Sequence, residues 1–253
     1  MRICRFLAVL SIALVFLGAC NKDDNNVQSD NPRLFVANGD IQPVIEQFRL
    51  ELGNLNTAPG ATGGRREISW EIVPDDLLDK KLPGQFFNQT GENANPSLQR
   101  GLIYDPNMDF RVSKTAFASM DADASSEFSA FSGTATFANV SVEPWAVTFQ
   151  VAGTNDAAGT RGFGMVVSDV DVSGTVSLEF FNGTQSLGKL FVPARQPGSN
   201  FSFAGVLYEE SIITSVKVSH HGILGTGVKD VSQGGTHDLV VLDDFIYGEP
   251  EKK

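Results

Sequence analysis

Beyond Ser113 the chain is written in short apolar runs of period two, broken every few residues by Gly, Asn or Pro, and this punctuation constrains its fold most. Trp145, Val147, Phe149 and Val151 alternate with polar or small residues, as do Val176, Leu178 and Phe180, and then Ile212, Thr214, Val216 and Val218. Successive side chains on a strand point to opposite faces, so each run predicts a strand with one face in a core. Asn182-Gly183 sits between Leu178-Glu179-Phe180-Phe181 and Leu187 to Val192. An Asn-Gly pair accepts the positive φ angles of a tight turn, which predicts a hairpin there. Leu239 to Tyr247 is apolar on both phases, as expected of a central strand covered on both faces.

The amino-terminal part is less regular. Ile41, Val44, Ile45, Phe48 and Leu52 recur at steps of three and four, so they share one stripe of a short helix; Asp40 is placed to cap it, Pro43 is tolerated in its first turn and Gly53 stops it. Arg65 to Ile72 predicts a strand with Ile68, Trp70 and Ile72 alternating, and Leu77-Leu78 predicts a helical turn. Strand character returns at Gly101 to Tyr104 and Phe110 to Val112. These elements together predict a mostly β protein: a jelly-roll-like antiparallel β-sandwich with one short N-terminal helix.

Met1 to Cys20 constrains location. Arg2 and Arg5 give a basic start, Phe6 to Leu17 is an apolar run too short to span a bilayer comfortably, and Leu17-Gly18-Ala19-Cys20 closes it as a lipobox. The segment resembles a bacterial lipoprotein signal. That resemblance implies cleavage before Cys20, lipidation of Cys20, and a partner in the bilayer. The expected organisation is a signal at 1–19, a lipidated cysteine and polar tether at 20–33, and one domain at 34–250, in which 34–115 hold the helix and irregular strands and 116–250 the main jelly roll. Lys22-Asp23-Asp24 resembles a surface-export signal of some Gram-negative lipoproteins, which implies an outer-membrane protein facing the cell exterior.

Cleavage would remove two of the 19 basic residues and none of the 30 acidic ones, so the mature charge is 17 − 30 = −13. Nucleic acid is a poor partner for such a surface. The same cleavage would remove Cys4 and lipidate Cys20, the two cysteines of the chain, so disulfides, cysteine zinc sites and cysteine nucleophiles are excluded from the folded part.

Several stretches carry a family resemblance: Arg65 to Trp70, Leu82 to Asn88, Gly162 to Asp171, Leu187-Gly188 leading to Phe191-Val192-Pro193-Ala194, Ser202 to Val206, and Asp243 to Pro250. In this order they resemble an uncharacterised family of secreted bacterial jelly-roll proteins, some of whose members carry PEP-type sorting tails. The family has no established activity, so the resemblance implies a fold and export and no mechanism; the chain departs from the tailed members by ending in Glu251-Lys252-Lys253. At the level of fold, the sandwich is similar to galactose-binding-like carbohydrate-binding modules, in which a late Asp helps hold a structural calcium.

Calcium takes six to eight oxygens, and Asp169, Asp171, Asp243 and Asp244 are the acids expected to converge on one. Asp169 and Asp171 lie two apart and would share a face on a strand, while Asp243-Asp244 end the last apolar run, where a buried carboxylate needs a partner such as Arg161. Trp70, Trp145 and Tyr104 are the candidate flat platforms for a sugar ring, against an aromatic content dominated by 19 Phe. His220-His221 and His237-Asp238 hold all three histidines, but neighbours on a strand face opposite ways and do not readily share a metal. No HExxH, GxSxG or phosphate-cradling glycine loop occurs. The expectation is a non-catalytic, surface-anchored module that binds glycan or another extracellular ligand. A structural or adhesive envelope protein is the alternative, and an extracytoplasmic hydrolase a third class, which converging acids with perturbed pKa would favour.

Overall fold

The computed structural model describes residues 31–253; Cys20, Lys22-Asp23-Asp24 and the signal segment lie outside the described residues. In chain order the elements are β1 (Arg33–Asn38), α1 (Gln42–Leu52), β2 (Arg65–Ile68), β3 (Leu102–Tyr104), β4 (Phe110–Ser113), β5 (Thr136–Asn139), β6 (Trp145–Phe149) and β7 (Ala158–Gly159). There follow β8 (Gly162–Ser168), β9 (Ser177–Asn182), β10 (Gln185–Phe191), β11 (Phe201–Leu207), β12 (Ser215–Ser219), β13 (Val241–Gly248) and β14 (Glu251–Lys252). Two antiparallel sheets face each other: one runs β1-β11-β8-β13-β5-β4 with β2 also on β13, the other β10-β9-β12-β6-β3. The protein is therefore a mostly β sandwich with one N-terminal α-helix, as the periodicity predicts. No helix among the described residues is long and apolar enough to cross a membrane.

Between the sheets lie Phe163, Met165 and Val167 of β8, Leu242, Phe245 and Tyr247 of β13, and Val147, Leu178, Phe180, Val216 and Val218 from the facing sheet. Trp70, Trp145 and Tyr104 are buried in the same core, at 0%, 1% and 1% exposure. Trp70 stacks on Phe137 with ring centroids 4.0 Å apart, and Trp145 meets Phe110 edge-on at 5.2 Å. These rings supply packing and offer no platform to a sugar, which corrects the sequence expectation for all three.

α1 covers part of the outer face of the larger sheet. Ile45, Phe48 and Leu52 pack on Phe35, Val166, Phe203 and Ile246. Gly164 and Gly205 face each other across β8 and β11 beneath the helix. A Cβ on Gly164 would stand 2.7 Å from Phe203 Cζ and 3.1 Å from Phe48 Cε1, so the missing side chain is what admits the helix.

The local differences have physical reasons. Ile41, not Asp40, is the N-cap, and no side chain caps the helix, because Pro43 supplies the first-turn geometry without a donor. β2 ends at Ile68; Trp70 takes φ +69° and turns the chain, yet is buried by the stacking partners above, so alternation persists without a strand. β1, an edge strand of the larger sheet, carries Leu34 and Val36 exposed at 59% and 42% and was not legible as a strand. The hairpin at Asn182-Gly183 pairs Asn182 with Gln185, with Gly183 at φ +61°.

Candidate metal centre

β13 is buried at all eight positions and pairs with β8 on one side and with β5 and β2 on the other. Its register slips once: Leu242 opposes Val167 and Phe245 opposes Met165, so Asp243 and Asp244 together face the single residue Val166. Two residues against one is a β-bulge, and it lets two consecutive carboxylates reach the same strap of chain. That strap is residues 127–135. Asp243 Oδ2 accepts from the backbone N–H of Phe131 at 2.5 Å and of Ser132 at 3.0 Å, while Asp244 Oδ1 accepts from Ser132 Oγ at 2.5 Å. Glu71 Oε1 accepts from the N–H groups of Thr134 and Ala135 at 2.7 and 2.6 Å. Asp244 pairs with Arg49 at 3.3 Å, and Arg161 instead donates to the carbonyl of Glu51. The two acids therefore lie within β13 and hold the strap, and do not end that apolar run as the sequence suggested. Burial and the adjacent Asp244 charge push the Asp243 carboxyl up to about 8; burial also raises Asp244, against the pull of Ser132 and Arg49.

The other pair lies where β8 ends. Ser168 is the last strand residue and Asp169 turns the chain with φ +71°, so Asp169 and Asp171 meet through a loop and not through strand alternation. Arg195 reaches both, its Nε 2.9 Å from Asp169 Oδ1 and 2.7 Å from Asp171 Oδ1. With them stand Glu127, from the start of the strap, and Asp230; one carboxylate oxygen from each of the four lies within 4.8 Å of the others. The four expected acids thus divide: Asp169 and Asp171 gather with Glu127 and Asp230, while Asp243 and Asp244 belong to the strap. Glu127 and Asp230 carried no sequence signal, since they come from loops far apart in the chain.

The partners of the four acids differ. Glu127 accepts from Ser232 Oγ at 2.6 Å and Gln233 Nε2 at 2.7 Å, and Asp230 accepts from the N–H groups of Ser232 and Leu239, both at 2.7 Å. Asp169 is 1% exposed; its Oδ1 has only the ion pair with Arg195, shared with Asp171, and its Oδ2 has no hydrogen-bond partner among the described residues. A buried carboxyl in that condition is costly unless a cation or a proton compensates it. Burial, then the Asp171 charge, pushes it up to about 8 against the opposing pull of Arg195. Asp171 is raised as well, by burial above all.

Four carboxylates with oxygens so close together form a set that could coordinate a divalent metal. Asp169 and Asp230 are each 1% exposed, whereas Glu127 and Asp171 are half-buried and form the solvent side of the cluster.

The histidines meet elsewhere. His220 is buried, accepts from Trp145 Nε1 at 3.1 Å and sets its Nδ1 2.8 Å from the carbonyl oxygen of Gly222, which fixes the tautomer with its proton on Nδ1. His221 and His237 line a concavity of about 420 Å³ beside Glu143, their ring centroids 5.9 Å apart.

No family model and no curated protein matches the chain. Among solved structures, it is similar to an arabinose-bound MgGH51 α-L-arabinofuranosidase, at 11% identity and a TM-score of 0.31, over 68% of this chain and 27% of that one. So distant and partial a likeness carries no activity across.

Proposed function

We propose that this protein is an exported, non-catalytic β-sandwich module, tethered by a lipid on Cys20 and facing the cell exterior, that binds an extracellular ligand at the loop end organised by a calcium ion. The observation that carries the reading is Asp169: a buried carboxylate whose Oδ2 has no hydrogen-bond partner among the described residues and whose cationic neighbour, Arg195, is shared with Asp171, set among Glu127, Asp171 and Asp230. Calcium suits an all-oxygen set and takes six to eight ligands, so four side chains leave room for water or for ligand oxygens. Sugar hydroxyls and carboxylates are of that kind, which supports a glycan as the ligand class. Burial of Trp70 and Trp145 supports a second reading, a protein partner, for which the exposed Leu34 and Val36 on the edge strand β1 offer a strand to pair with.

The test is a melting curve of the domain from Ser29 onward with and without millimolar calcium, followed by a glycan array in calcium and in EDTA. Calcium should raise the melting temperature, and Asp169→Asn should abolish the rise. Absence of any rise in the wild-type domain removes the metal. A blank array in both buffers moves the ligand from glycan to protein.

A further inference from the structure

We infer that Arg195 sets the affinity of the acid cluster by acting as its built-in competitor for a divalent cation. The inference rests on the calcium reading and adds a residue that no donor-set argument would select, since a guanidinium ligates no metal. Arg195 Nε lies 2.9 Å from Asp169 Oδ1 and 2.7 Å from Asp171 Oδ1, so its charge stands on two of the four carboxylates that an ion would use. A guanidinium and a divalent ion sharing two carboxylates a few ångströms apart repel each other, and each lowers the other's hold on them.

The geometry also allows the arginine to leave. Its side chain is 26% exposed, against 1% for Asp169. Gln196, Pro197 and Gly198 next to it are exposed, so the guanidinium has solvent to move into while its own backbone N–H stays bound to the carbonyl of Val170 at 2.7 Å. Ion binding therefore exchanges one cation for another: Asp169 and Asp171 turn from guanidinium to metal, and Arg195 swings to the rim. Calcium affinity follows ligand charge and site rigidity, and modules that work outside the cell sit at about 10⁻⁴ to 10⁻³ M. Arg195 holds this cluster in that weak range, filled in a calcium-rich medium and empty at lower concentrations.

The experiment is calcium titration by calorimetry of the wild-type domain, Arg195→Gln and Asp169→Asn. Arg195→Gln should tighten the dissociation constant at least tenfold, and Asp169→Asn should abolish binding. Equal or weaker binding by Arg195→Gln, with Asp169→Asn still inactive, overturns the role of Arg195 and leaves the calcium site standing; no binding in any of the three overturns both.

A second measurement needs no variant. Phenylglyoxal labelling of Arg195 in the wild-type domain, read by mass spectrometry, should rise in saturating calcium relative to EDTA. Unchanged or reduced labelling overturns the exchange.

Discussion

A folded protein that keeps carboxyls protonated pays for it as the pH rises, and Asp169→Asn isolates one such group. Asp169 goes from an ordinary 3.8 to about 8 on folding, and Asp243 makes the same move. Between those values the folded state holds a proton that the unfolded state has released. A raised pKa contributes stability that is fully present below 3.8 and lost as the pH climbs through 8. Each such proton changes stability by about 1.4 kcal/mol per pH unit, so between pH 5 and pH 7 Asp169 accounts for at most about 3 kcal/mol and the two groups together for at most about 5. Carboxylates held low by partners, Glu67 by Arg49 and Arg65 and Asp109 by Arg111, act with the opposite sign, but their window lies below their ordinary values of 4.5 and 3.8. The assay is urea unfolding in EDTA at pH 5, 6 and 7, followed by fluorescence, which Trp70 and Trp145 report from the core. The wild-type midpoint should fall with pH, and Asp169→Asn should make the slope shallower, the remainder coming from Asp171, Asp243 and Asp244. A flat or rising wild-type profile, or an unchanged slope in Asp169→Asn, would refute the reasoning.

Arg66 is fully buried and forks onto Glu249 at 2.6 and 2.7 Å, so Arg66→Met strands a carboxylate and should cost about 3–5 kcal/mol by chemical denaturation. A loss below about 1 kcal/mol would show that Glu249 finds another partner. Asp244→Asn should leave the calcium-induced rise in melting temperature intact, because Asp244 holds Ser132 of the strap and Arg49 of α1; loss of the rise would join the two acid groups functionally. Cys20→Ser should move the protein from the membrane fraction to the soluble fraction, and retention on membranes would sink the lipoprotein reading. Protease added to intact cells should remove the domain if it faces outward, whereas full protection would place it inside.

The periodic parts of the sequence gave up their structure readily because burial on one face leaves a mark every second residue. β6, β9, β12 and β13 fall within or across the runs that predict them. Trp70 shows the limit: alternation records burial, and a residue at φ +69° past the end of a strand can be as buried as one within it. β1 left little trace because its alternate residues Leu34 and Val36 lie exposed at the sheet edge. For the site, Asp169 and Asp171 were legible as a close pair, but Glu127 and Asp230 reach them through loop closure, which has no period. The bulge at Asp243-Asp244 depends on register against β8, and one strand read alone cannot show it.

β13 lies C-terminal to every strand it pairs with: β2, β5 and β8 are all made before it. Until Val241–Gly248 arrives, the larger sheet has a gap at its centre, the aromatic core lacks Phe245 and Tyr247, and the strap lacks the carboxylates that hold it. The smaller sheet and the flanking paired strands β1-β11-β8 and β4-β5 are made before β13, so joining those flanking strands into one larger sheet is a single late event in synthesis.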